Sequence, residues 1–235
     1  MTDSVDPAAY PDMDAIRAAH DAPRPRSMPH FDGGSPAIDR FLRSLDIDYE
    51  KWHDGIGFDV EALREATPAE RAFAESQLDA TRDWRDVEAL AVFAQLGSTT
   101  AERSLRTALR TGSHEIRLAV VRHAPQLVEE QARTELLLHA LEGATIMDGL
   151  VAALAEVERF HPAPIVDALW RGLITRPGDV AVHYAAMLAF LYGKAESTFD
   201  WSLRPLFLKF NTPNETERQA AITELRALTA AEQTP

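Results

Sequence analysis

Four apolar, helix-forming stretches recur about 30 residues apart in this chain, and that recurrence limits the fold more than any other feature. They are DVEALAVFAQL from Asp86, EIRLAVVRHAPQL from Glu115, IMDGLVAALAEVE from Ile146 and DVAVHYAAMLAFLY from Asp179. Val87, Ile116, Met147 and Val180 fall in equivalent places. More polar helical stretches alternate with them: TTAERSLRTALR from Thr99, VEEQARTELLLHALEG from Val128 and PAPIVDALWRGLIT from Pro162. A unit of two helices at this period cannot bury its apolar face alone, so neighbouring units must stack. The prediction is an all-α superhelix, or solenoid, of about four to five helical pairs. In VAVHYAAMLAFLY only His183 is strongly polar, as suits a helix buried on most of its circumference. The alternating helices keep a charged face and are expected outside. No stretch of useful length alternates with the period of a strand.

The flanks are read as caps on this array. Residues 1–35 are expected to be a proline-rich, flexible arm: APRPRSMPH and FDGGSP cannot continue a helix, because proline lacks the N–H and clashes with the preceding turn. Residues 36–235 are expected to form one solenoid domain, with an N-terminal cap over 36–82 and a C-terminal cap over 199–235. AIDRFLRSL from Ala37 is a short amphipathic helix, DIDYEKWHDGIGFD a structured loop, and DVEALREA another short helix. Capping boxes are expected at Thr67-Pro68-Ala69-Glu70, starting AERAFAESQLDAT, at Thr99-Thr100-Ala101-Glu102, and at Thr212-Pro213-Asn214-Glu215. In each, a side-chain oxygen would accept an orphan N–H while the glutamate reaches back.

The pairs Asp86-Val87, Glu115-Ile116 and Asp179-Val180, with Arg117 after the second, resemble the opening of the inner helix of a HEAT repeat. The third copy, IMDGLV, departs from it. KWHDGIGFD, DWRDVEAL and FDWSLRPLFLKFNT look like the flanking motifs of a group of bacterial HEAT-like proteins. The resemblance implies the fold and no particular activity. HEAT-like folds include scaffolds, regulators and immunity proteins. They also host a DNA glycosylase family with a cationic groove and the bilin lyases.

Charge narrows the partners. The formal net charge is −13 and the pI about 5.0. Nucleic-acid binding draws on concentrated basic charge that neutralises phosphates, so DNA, RNA and anionic membranes are not expected ligands, whereas a basic protein is. With no cysteine there is no disulfide, thiolate nucleophile or Cys-ligated zinc. MTDSVDPAAY lacks the apolar core of a signal peptide, and the longest near-apolar run, 13 residues, is too short to span a bilayer. A cytoplasmic protein is expected.

Chemical motifs break down on inspection. His114-Glu115 opens like a zincin helix, but the second histidine position is Leu118. Gly193-Lys194 ends like a phosphate loop, but the earlier glycine would be Leu188. Asp46, Asp48 and Glu50 alternate like a calcium loop, yet its glycine position holds Lys51 and its twelfth residue is Gly57. His53 beside Asp54 could act as an acid–base pair, although chain neighbours seldom face each other. No metal, cofactor or catalytic residue is expected.

What remains is a surface. Glu88, Arg117 and Asp148 each follow an equivalent inner-helix position, so stacking would line them up on the concave side, with Glu156 and Glu158 extending the row. Trp201 and Arg204 carry the side chains that interface hot spots favour. The expected function is a non-catalytic scaffold for a basic protein partner, as in an immunity or regulatory protein. The alternative is a HEAT-like enzyme or lyase acting on a small molecule or cofactor.

Overall fold

The computed structural model describes residues 29–143, 149–198 and 200–230. These hold thirteen α-helices, one 3₁₀ turn and no strand. None of the helices is long and apolar enough to cross a membrane. The chain divides into two compact units, 1–105 and 106–235. Most of the proline-rich arm, residues 1–28, lies outside the described residues, as do 144–148, 199 and 231–235.

The first unit contains α1 (Pro36–Ser44), α2 (Tyr49–His53), α3 (Ala62–Glu65), α4 (Pro68–Glu75) and α5 (Trp84–Gln95). Ser35 caps α1 by accepting the Ile38 N–H, and Pro36 presets its first turn. Ile38, Phe41 and Leu42 are buried where α1 packs on α3 and α4. The expected capping box at Thr67 is present at the start of α4. Its Glu70 also reaches beyond the box: one carboxylate oxygen accepts the Thr67 N–H at 2.7 Å and the other the Ser35 N–H at 2.6 Å. Those two donors hold the Glu70 carboxyl down at about 2. Residues 29–35, expected to belong to the free arm, are therefore tied down, and Phe31 packs on Phe73 with ring centroids 5.3 Å apart.

Two other expectations in this unit change. The loop after Asp46 contains a short helix, α2, capped by Asp48, which accepts the Lys51 N–H at 2.8 Å. The helix expected to run to Thr81 stops at Glu75. A polar cluster holds the turn that follows. The buried Asp86 carboxylate accepts the Asp79 N–H at 3.2 Å and both ends of the Arg82 guanidinium, while Arg82 also donates to the Gln77 carbonyl at 3.2 Å. Burial pushes the Asp86 carboxyl up, and Arg82 pulls it back. Asp86, expected only as a helix opener, thus closes a loop.

The unit boundary falls inside α6 (Thr99–Thr111). Its cap is Ser98, whose Oγ accepts the Ala101 N–H at 3.1 Å, so the box expected at Thr99 begins one residue too late. The second unit then holds α7 (His114–His123), α8 (Glu130–Gly143), α9 (Val151–Val157), α10 (Ala163–Thr175), α11 (Asp179–Leu191), α12 (Arg204–Leu208) and α13 (Glu215–Ala230). Pro125 ends α7 early and opens the 3₁₀ turn Pro125–Leu127. Asn214 caps α13 through its side-chain oxygen, accepting the Thr216 N–H at 3.0 Å. The Thr212 hydroxyl instead bonds Glu217 at 2.8 Å, which displaces the third expected box by two residues.

Helices α10 and α11, joined by three residues, form the spine of this unit. No residue of α11 from Val180 to Leu191 is exposed, as its apolar text predicts. Gly172 of α10 lets the helices close: a Cβ there would stand 2.3 Å from the Tyr184 ring of α11. The Tyr184 hydroxyl donates to the Leu141 carbonyl near the end of α8, and Arg176 donates to the same carbonyl at 2.6 Å. This satisfies an orphan carbonyl of a helix end. The core runs from Leu118 and Leu137 through Leu150, Ile165, Leu169 and Leu188 to Phe210 and Leu225.

Candidate functional site

The residues of the acidic row expected on a concave face differ in their settings. Glu88, in the first unit, is half-buried, and its carboxylate sits where a Cβ on Gly57 would stand 2.8 Å away. Arg117 is half-buried and donates from Nε to the Gly112 carbonyl at 3.1 Å, closing the turn before its own helix. Asp148 lies outside the described residues. Glu158 is exposed, with the Thr198 hydroxyl 3.5 Å away.

Glu156 needs correction, because it is only 2 % exposed and cannot meet a partner. It lies on α9 between Leu154 and Val157, both buried, and faces α8, where Arg133 pairs with it. The Arg133 guanidinium also stacks on the Phe160 ring, 4.1 Å from its centroid. The pair joins α8 to α9 across the segment 144–148. Spacing alone placed Glu156 on the surface; a cation from another helix lets it be buried.

Trp201 and Arg204 are both exposed. Trp201 is 75 % exposed, and the Arg204 guanidinium lies 4.6 Å from its ring centroid. Pro205 stands in the first turn of α12 behind them. Leu206 and Phe207 anchor that helix in the core while its Trp201 end faces solvent.

A second site was not apparent in the sequence. Asp167 and Trp170 of α10, Tyr192 after α11, and Arg226, Thr229 and Ala230 of α13 line an open hollow of about 520 Å³. The Trp170 and Tyr192 rings meet nearly edge to face, with centroids 6.3 Å apart and an angle of 66°. The indole Nε1 donates weakly to the tyrosine oxygen at 3.5 Å. Arg226 holds its guanidinium 5.2 Å from the Trp170 ring centroid. Among the described residues the Asp167 carboxylate makes no ion pair or hydrogen bond. These residues stand far apart in the chain and meet because α10 packs on both α11 and α13. The available hint was a tryptophan in a helix expected to keep a charged face outside.

Among the described residues no three His, Asp or Glu side chains gather as ligands. His53 does bond its neighbour Asp54, Nδ1 to Oδ1 at 3.0 Å, contrary to the expectation for chain neighbours, but both side chains are exposed. His114 and His139 stack with centroids 5.0 Å apart. Burial, with Arg122 and Arg159 nearby, lowers the His123 imidazole to about 4.

Compared with models of protein families, with curated proteins and with solved structures, the chain matches none.

Proposed function

We propose that the chain is a HEAT-like helical-repeat module that binds a basic protein partner and carries out no reaction of its own. One observation carries the reading: a tryptophan held in solvent in the turn before α12, a helix anchored in the core, with an arginine stacked on it. Tryptophan and arginine dominate the energetics of protein interfaces, and a large ring kept wet gains most from being covered. The packing order of the second unit is in keeping with stacked helices, since most contacts fall between helices one or two places apart along the chain: α7 with α8 and α9, α8 with α9 and α10, α10 with α11, and α11 with α12 and α13, while α13 also returns to α10. The net charge of −13 favours a basic partner and speeds its encounter. Nucleic acid stands outside the proposal, because phosphate binding needs concentrated positive charge.

The test is site-specific photo-cross-linking in the native cell. A photoreactive residue at position 201 should trap a basic protein that the same residue at exposed Gln219 does not. The double change Trp201→Ala and Arg204→Ala should then reduce recovery of that protein about tenfold or more, as loss of a hot spot does. Equal trapping at both positions, or recovery unaffected by the double change, refutes this site.

A further inference from the structure

We infer that the hollow between α10, α11 and α13 is a receptor for an arginine side chain of the partner, and that Arg226 occupies it as a stand-in when the partner is absent. The inference rests on the protein-binding reading above and specifies the chemistry of one contact. Three observations converge. First, the Trp170 face already takes a guanidinium, since Arg226 lies 5.2 Å above its centroid. Aromatic faces attract planar cations, and arginine stacks on them better than lysine does. Second, Asp167, about one helical turn before Trp170 on α10, lines the same hollow, and its carboxylate makes no ion pair or hydrogen bond among the described residues. A guanidinium over the ring could pair with it, and Arg226 does not. Third, Tyr192 is 43 % exposed and lines the same open hollow of about 520 Å³. The site therefore offers a π face, a carboxylate and a phenol, on a chain whose overall charge attracts cations.

Arg226 is then an internal competitor. A ligand must displace it, so the apparent affinity is the intrinsic affinity reduced by the fraction of molecules in which the ring face is open. Removing Arg226 should tighten binding. A residue that merely added positive charge to an unrelated surface would not identify itself by stacking, and a structural Arg226 would not compete with ligand.

The experiment uses the full chain and three fluorescein-labelled peptides, identical except that a central residue is arginine, lysine or citrulline, titrated by anisotropy at low salt. The arginine peptide should bind saturably. Lysine should bind several-fold more weakly, and citrulline, neutral but of the same shape, at least tenfold more weakly. Asp167→Asn should weaken the arginine peptide about tenfold, and Arg226→Gln should tighten it several-fold. Both side chains are exposed, so neither change should lower the melting temperature, which is measured alongside. Absence of saturable binding to the Arg226→Gln protein, equal binding of citrulline, or weaker binding after Arg226→Gln overturns the inference. Free N-acetylarginine amide binding as tightly as the peptide also overturns it, since the hollow would then be a small-molecule site. Failure here with cross-linking retained at position 201 removes the hollow and leaves the binding-module reading standing. Peptide binding with no cross-link at 201 does the reverse.

Discussion

Replacing Gly172 by alanine tests the closest approach in the second unit. A Cβ at Gly172 would lie 2.3 and 2.4 Å from Cε2 and Cδ2 of Tyr184, where carbon atoms prefer roughly 3.5–4.0 Å. One of the two helices or the ring would have to shift by about 1 Å. The ring is poorly placed to yield: Tyr184 is fully buried, and its hydroxyl shares the Leu141 carbonyl with Arg176. In an open helix, glycine to alanine gains about 1 kcal/mol. Overpacking a filled core costs about 1–3 kcal/mol, and a fixed ring puts this site at the upper end. The expected net loss is about 2 kcal/mol, or roughly 4–8 °C in melting temperature for a domain of this size. Thermal unfolding followed by far-UV circular dichroism reads it directly. In a Tyr184→Leu background the obstructing ring is gone, so the same Gly172→Ala change should cost nothing or stabilise, a coupling of 2 kcal/mol or more, on the order of a direct contact. If Gly172→Ala melts at or above the parent, or costs the same in both backgrounds, then α10 and α11 do not meet at this ring.

Further outcomes follow from the buried and titrating groups. Glu156→Ala should cost about 3 kcal/mol in urea unfolding, because it strands Arg133 in a mostly buried place, whereas Arg133→Met with Glu156→Leu should restore most of the loss, since an apolar pair carries no desolvation cost; a double variant as weak as the single one would contradict this. Stability should fall with acid in two windows. His123 titrates at about 4 when folded against 6.5 when free, so the fold favours its neutral form; that contribution is complete above 6.5 and is lost as pH falls from 6.5 to about 4. The gap bounds the loss at about 3 kcal/mol, less whatever solvent screens, and His123→Gln should flatten urea midpoints over that window. Glu70, held at about 2 against 4.5, contributes above 4.5 and loses its contribution as pH falls towards 2; Glu70→Gln should remove that second phase.

Much of the helical plan was legible in the chain because it is written in local physics. The apolar runs at Asp86, Glu115 and Asp179 and the threonine and proline at Thr67-Pro68 act over one helical turn, and the structure places helices at each, although Pro125 ends the second run early. Where competing local acceptors lay close together, the reading slipped by a residue or two: Ser98 rather than Thr99, and Asn214 rather than Thr212, take the cap. Where the chain returns on itself, the sequence offered no rule. Glu156 could be placed on a surface by spacing because nothing near it in the chain shows that Arg133 will reach it from α8. Trp170, Tyr192 and Arg226 share no period and no motif, and they form a hollow only because Gly172 lets α11 close on α10 while α13 packs beside it. Helix starts and apolar faces are decided by neighbours within about four residues. A charge's burial and a ring's partner are decided by packing between helices, and only the tertiary structure contains that.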